Sequence, residues 1–225
     1  MNKNTDLYRL QNIKKIYKKK VILKDIGMVV KKGDTIAITG ESGSGKSSLI
    51  HILGGLDKPD HGKITFKNIC FNRIKLFYKE RIRSKNISYI CQLDNLLPEF
   101  NLIENVSMPL IINRINPLVV KKRAHEILRI VGLDNKYYFK PHQISGGEKQ
   151  RIACARAIIN KPDCILADEP TGSLDTKNKI KVIKILKLLN KMYQTTIILV
   201  THDSLIPKFM EKHFLLKKGM LIRKR

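Results

Sequence analysis

The sequence predicts an α/β fold in which a parallel core sheet is joined to an antiparallel β layer and carries an inserted α-helical subdomain. Three observations point to that class. Gly40-Glu41-Ser42-Gly43-Ser44-Gly45-Lys46-Ser47 is a complete G-x-x-x-x-G-K-S loop between a strand-length apolar run and a helix-like run, the setting this motif needs. Cys164-Ile165-Leu166-Ala167 precedes Asp168 and Glu169, so a buried strand would set both carboxylates on the C-terminal edge of an open sheet, where ligands gather. Beyond Gln92 the pattern changes from strands to helices and stays helical to about residue 143.

At the start, Leu7–Ile16, Val21–Val30 and Thr35–Thr39 carry short apolar patterns broken by Lys-Lys and Gly-Asp, which predicts an antiparallel layer leading into the loop. Tyr17 stands between two basic runs and reads as a strand-end aromatic. In the loop, glycines let backbone N–H groups converge where side chains would obstruct them. The helix from Lys46 to Leu53 turns the positive end of its dipole to the same anion. The motif predicts a nucleoside triphosphate site, with Lys46 reaching the β- and γ-phosphates and Ser47 on Mg2+. Turn formers fill Gly54 to Gly62. Lys63–Phe66 then reads as a strand, Tyr78–Lys85 as a helix, and Ile87–Cys91 as a buried strand ending at Gln92.

Leu102–Ile111 and Pro117–Val131 form the inserted helical part, bounded by the Leu97-Pro98 turn and Lys140-Pro141; Val120, Ala124, Ile127, Leu128 and Val131 share helical spacing. An insertion directly after Gln92 is where a moving contact to another protein would sit. Ser145 caps a helix running to about Asn160, with Pro162 beyond it as a stop, and Gly146 and Gly147 bare its N-terminus. Such an end is a second anion site, or simply an ordinary Ser-capped helix. Asp168 would hold Mg2+, mostly through water, and Glu169 would orient or deprotonate an attacking water. Gly172-Ser173-Leu174-Asp175 turns into an amphipathic helix from about Thr176 to Met192, and Thr196–Val200 is the next strand. His202 follows it on the same sheet edge, where an imidazole could hydrogen-bond a γ-phosphate. Ser204–Arg225 reads as one helix and a closing hairpin with a basic tail.

With 43% hydrophobic residues in 225, the chain can bury a large core, yet its apolar runs fall far short of the ~20 residues that cross a bilayer. Its first residues lack the apolar centre of a secretory signal, so it is expected to be soluble and to stay in the compartment where it is made. Cys70, Cys91, Cys154 and Cys164 form no C-x-x-C pair and read as reduced, mostly buried thiols; no metal-ligand spacing appears among the six histidines. The net charge of +25 fits a solvated basic surface, an anionic membrane face as a further partner, or nucleic acid. Because the lysines are spread along the chain and aromatics are only 6%, no nucleic acid is expected.

In order and spacing, the phosphate loop, Gln92, Ser145-Gly146-Gly147, Asp168-Glu169, Ser173-Leu174-Asp175 and His202 resemble the ATP-binding-cassette (ABC) ATPases along almost the whole chain. The resemblance implies a phosphate-loop NTPase fold and one nucleotide-binding domain over residues 1–225. Its RecA-like core lobe would be 1–92 and 161–225, and its helical subdomain about 93–160. It implies ATP and Mg2+ held along Gly40 to Ser48, with Ser47, Gln92 and Asp168 on the metal. It also implies a homodimer closed by ATP, in which Ser145, Gly146 and Gly147 of one copy meet the γ-phosphate held by Lys46 of the other. By the same resemblance Tyr17 stacks on adenine, Asp175 communicates across the dimer, and Gln92 links to a membrane partner. Ile144 stands where Leu is usual and Glu148 where Gln is frequent, both mild changes.

Within the family, His51–Asp57, Leu96–Phe100, Glu104-Asn105-Val106, Met108-Pro109-Leu110 and Ala167–Gly172 are most similar to the group that drives lipoprotein release in Gram-negative bacteria. That implies a peripheral protein on the cytoplasmic face of the inner membrane and two integral membrane permease subunits as partners. Asp94-Asn95 departs from this group, which tends to have a His pair there. ATPases of macrolide or peptide exporters and of cell-division complexes share much of the set. Cassette ATPases acting on ribosomes or DNA usually carry two cassettes or a long coiled coil, and neither is present in this sequence.

Overall fold

The computed structural model describes residues 6–92 and 95–224; of the pair Asp94-Asn95, Asp94 lies outside them. Strands β1 (Asp6–Tyr17) and β2 (Lys20–Lys31) form a hairpin closed by Lys18 and Lys19, both at positive φ (44 and 65°), as a two-residue turn matched to strand twist requires. β1 also pairs antiparallel with β4 (His61–Phe66), and β4 with β5 (Ile69–Cys70), giving the sheet order β2-β1-β4-β5. Strand β3 (Thr35–Thr39) corrects the expected three-strand layer, because it lies in the other sheet. The reason is its lack of a polar face: Ile36, Ala37 and Ile38 are all fully buried, which suits a strand covered on both sides.

That second sheet has the order β10-β9-β3-β8-β7-β6. Its strands β6 (Ile87–Ile90), β7 (Cys164–Asp168), β8 (Thr196–Thr201), β3 and β9 (Lys212–Lys217) run parallel, and β10 (Met220–Lys224) closes it antiparallel to β9. The helix expected after Ser204 is only a single 3-10 turn, Ile206–Phe209, since Pro207 at its start and the extended Met210 leave no room for a longer ladder. Alternation divides the core. Ile165, Ala167, Ile197 and Leu199 face a cluster built with the helices, while Cys164, Leu166, Ile198 and Val200 face one built with the antiparallel sheet.

The helices fall close to their expected ranges: α1 (Lys46–Leu53), α2 (Leu76–Asn86), α3 (Leu102–Ile112), α4 (Pro117–Ile130), α5 (Gly146–Ile158) and α6 (Thr176–Tyr193). α1 packs on β7 and β8; α3 packs against α4 and α5, and α5 reaches β6 and α6. Two thiols, Cys154 and Cys164, are buried, but Cys70 is half-buried and Cys91 exposed, so burial of the cysteines is less general than expected. Among the described residues no helix is long and apolar enough to cross a membrane.

Candidate nucleotide site

The loop between β3 and α1 is shaped by two glycines. Gly45 sits at φ 102°, and a Cβ there would press to 2.9 Å from Ile22 Cγ2; one on Gly40 would lie 2.5 Å from the Leu216 carbonyl oxygen. No other residue type lets the chain pass so close to β2 and β9. Behind the loop, Lys46 is nearly buried, and its Nζ donates to the carbonyls of Gly40 (2.8 Å) and Glu41 (2.9 Å). The Ser44 hydroxyl is buried without a hydrogen-bond partner, and Lys46 holds the only ammonium of the loop, so the loop has both an unmet polar group and a cation to offer an anion.

Parallel pairing of β7 with β8 sets Asp168 opposite Val200, and the Glu169 amide donates to the Val200 carbonyl at 3.0 Å. Strand register thus brings Glu169 beside Thr201 and His202, which lie 32 and 33 positions away. Thr201 Oγ1 donates to Glu169 Oε2 (2.8 Å), and His202 Nδ1 lies 2.9 Å from Oε1. Glu169 holds φ at 47°, a left-handed value that is costly for Glu and turns the chain sharply after the strand. Its Oε1 is 4.0 Å from Lys46 Nζ, so base and cation face the same space. Sequence reasoning named the histidine; it missed Thr201 as a clamp, because a Thr ending a buried strand carries no local mark of its partner.

A cleft of about 1000 Å3 opens here, lined by Ser42, Gly43, Gly45, Lys46, Ser47 and Ser48 from one side and by Gln92, Asp168, Glu169 and His202 from the other. Its wall is extended by Tyr89, which carries no motif, and by His51 and Leu56 of the stretch His51–Asp57. Gly40 and Glu41 face an adjoining hollow of about 400 Å3 with His202 and His213. Gln92 passes over Gly172, where a Cβ would lie 3.3 Å from its amide nitrogen, and Gln150 of α5 donates to the carbonyl of the preceding Cys91 at 3.4 Å. Lys179 of α6 pairs with Asp203 at 2.7 Å and, with the Leu205 amide, draws that carboxyl below its ordinary range, tying the turn after His202 to the helix.

Other expected residues lie elsewhere. Tyr17, at the end of β1, is 62% exposed and does not line the cleft, and Lys18 Nζ stands 5.6 Å from its ring centre. Ser145 caps α5 in a reciprocal box: Glu148 N donates to Ser145 Oγ (3.3 Å) and Ser145 N to Glu148 Oε2 (3.0 Å). The Lys136 ammonium, 2.7 Å from Oε1, with the Ser145 amide and the Ser145 hydroxyl, which donates to Oε2 at 3.2 Å, draws the Glu148 carboxyl down to about 2. Asp175 caps α6 through the Asn178 amide (2.9 Å) and also accepts from the Asn178 side chain (2.6 Å), which in turn crowds Gly147: a Cβ there would lie 2.8 Å from Asn178 Oδ1. Ser145 and Asp175 are thus exposed on either side of a buried Gly147, and none of the three lines the cleft of their own chain.

Residues 23–172 match the profile of the family described as "ABC transporter". The chain is 42% identical over 200 residues to the lipoprotein-releasing system ATP-binding protein LolD of Legionella pneumophila strain Lens, which covers 89% of this chain and 88% of that protein. The LolD of strain Paris matches to the same extent. Among solved structures, a dimeric ATP-binding cassette in a post-hydrolysis state with ADP and Pi superposes with a TM-score of 0.87 at 37% identity, covering 97% of this chain and 98% of that one. The structure of cbiO1 from Clostridium perfringens, part of an ABC transporter complex, gives 0.90 at 27% identity over 97% of this chain and 88% of its own.

Proposed function

The chain belongs to the ABC transporter family of ATPases, and from that premise we propose that it is the ATP-hydrolysing subunit of a transporter that releases lipoproteins from the inner membrane for transfer to the outer membrane. The observation that carries the hydrolytic part is the Glu169 carboxylate, clamped by Thr201 and His202 and facing the Lys46 ammonium across the phosphate-loop cleft. The likeness to two LolD proteins supports the cargo.

In this reading the amides of the loop and Lys46 bind the phosphates, Lys46 leaving its two carbonyl partners to do so. Ser47, Gln92 and Asp168 present three oxygen donors on one cleft, the hard set that suits Mg2+. Among the described residues no cluster of His, Cys, Asp and Glu could hold a metal by itself, so nucleotide oxygens would complete the shell. When bound, Mg2+ would neutralise charge on the phosphates and align them. Glu169 takes the proton of the attacking water, and His202 and Thr201 fix which way its oxygens point. Tyr17, exposed at the β1 end, is the platform for adenine.

Ser145 and Gly147 do not line this cleft within one chain, which favours a head-to-tail homodimer closed by ATP; the related cassette that is dimeric with ADP and Pi supports the same assembly. We divide the chain into a core lobe, 1–92 and 161–225, and a helical subdomain near 93–160; the packing of α3 on α4 and α5 supports the second part, and α5 bridges it to β6 and α6. For the two membrane subunits the seat is a groove of about 480 Å3 between α3 and α4, lined by Ile103, Ile111, Val120 and Tyr138, with Ile112 and Leu118 exposed beside it. Such subunits would hold the protein on the cytoplasmic face of the inner membrane.

The test is a pull-down from solubilised membranes with this chain as bait, alongside its ATP turnover. Recovery of a lipoprotein-releasing permease pair is expected; recovery of a macrolide, peptide or cell-division permease instead would replace the cargo and leave the ATPase standing.

A further inference from the structure

The +25 net charge is not spread evenly in its consequences. One stretch combines it with exposed apolar bulk. At the start of α2, Leu76, Phe77 and Tyr78 are 65%, 67% and 55% exposed, and Phe77 and Tyr78 pack edge to face at 5.7 Å with nothing covering them. Ile69 of β5 is exposed next to them, and a shallow hollow of about 380 Å3 runs from Ile69 and Ile74 past Tyr78 and Arg81 to Lys85. Arg73, Lys75, Arg81 and Lys85 are exposed around this patch and form no ion pair among the described residues. The one acid on the helix, Glu80, leans to Arg83 at 3.9 Å.

Three exposed apolar side chains are costly in water, and four unpaired cations repel one another; each cost is relieved by one kind of surface. Aromatic rings settle at the level of lipid headgroups, and each nearby Lys or Arg gains from anionic phosphates there. An acidic protein would satisfy the cations but needs its own apolar cleft for the rings, and nucleic acid would satisfy the cations and rings but leave the aliphatic Leu76 and Ile69 uncovered. The helix that carries the patch is also tied to α3, which lines the groove assigned to the membrane subunits: Asn113, just after α3, donates to the Ser84 carbonyl near the end of α2 at 3.3 Å.

We propose that the Leu76-Phe77-Tyr78 patch with Arg73, Lys75, Arg81 and Lys85 is a contact for anionic phospholipid headgroups, which seats the ATPase directly on the bilayer beside its membrane subunits. It rests on the transporter reading for its place in the cell, and on its own geometry for the ligand.

The chain contains no tryptophan, so Phe77→Trp makes a single-site reporter in the full-length protein. On vesicles of phosphatidylcholine with phosphatidylglycerol its emission should shift to the blue, and on phosphatidylcholine alone it should not. The double change Arg81→Glu with Lys85→Glu should weaken vesicle binding about ten-fold or more. The same charge change at Lys217→Glu with Lys218→Glu, on the exposed β9–β10 turn, should weaken it far less. Equal losses from the two pairs, no emission shift on the anionic vesicles, or an equal shift on single-stranded RNA would each overturn the proposal. ATP turnover without vesicles is read in parallel. None of these residues lines the cleft, so turnover should hold; its absence in the unaltered protein would overturn the ATPase reading and leave the lipid contact to stand or fall on the vesicles.

Discussion

Glu169 is held by more of the fold than any other charged side chain of the cleft: strand register, a left-handed backbone and two side-chain clamps. A residue so fixed can act as a base only if its carboxylate is retained. Glu169→Gln is expected to lower ATP turnover about 10²- to 10⁴-fold while nucleotide binding persists, measured by phosphate release against fluorescent-nucleotide titration. Undiminished turnover would refute the role. Glu148 offers a test by pH. Its folded value, about 2, lies below the ordinary 4.5 because of Lys136 and Ser145, so the charged form stabilises the fold. That contribution is complete above pH 4.5 and disappears as pH falls toward 2. Glu148→Gln keeps a capping-box residue but removes the charge, and should flatten the decline of the urea midpoint across that window.

At the scale of elements, Asn105 shows how α3 shapes the segment beside Gln92. Fully buried, it accepts from the Leu97 amide (2.8 Å) and donates to the carbonyls of Leu97, Phe100 and Asn101 (3.0 Å each), so one amide side chain folds residues 97–101 onto the helix. Asn105→Ala strips partners from several backbone groups and should cost at least about 2 kcal/mol, with faster hydrogen exchange confined to that segment. An unaltered exchange pattern would show that the segment holds itself. The end of α1 depends on size instead. A Cβ on Gly54 would overlap the Tyr89 hydroxyl of β6, so Gly54→Ala should cost about 1–3 kcal/mol in thermal unfolding, part of it regained by Tyr89→Val in the double variant.

For the whole molecule, Ser145 and Asp175 do not line the cleft of their own chain, and the homodimer proposed above would bring them to the cleft of a second copy. Glu169→Gln with ATP should elute as a dimer on gel filtration and without ATP as a monomer. Adding Ser145→Arg places a long side chain on the opposed surface and should leave it monomeric in ATP while each copy still binds nucleotide. A dimer that survives the change would point to a different interface.

The phosphate loop, the acid-ended strand and the capped α5 were legible in the sequence because each is a local matter: glycines for close approach, an apolar run before carboxylates, a capping Ser before two glycines. All six α-helices could be read from spacing and turn signals for the same reason, and His202 from its place after a strand. Tertiary structure decided what local chemistry leaves open. Whether Thr35–Thr39 joins the antiparallel layer or the parallel sheet depends on which strands are available to pair, and burial on both faces placed it between β8 and β9. The closing hairpin expected after Ser204 formed, as β9 and β10, but the helix expected before it shrank to a 3-10 turn, because β9 had an open edge of β3 to pair with. The clamp of Thr201 on Glu169 and the crowding of Gly147 by Asn178 join residues about thirty positions apart, and such contacts exist only once sheet register and helix packing bring the segments together.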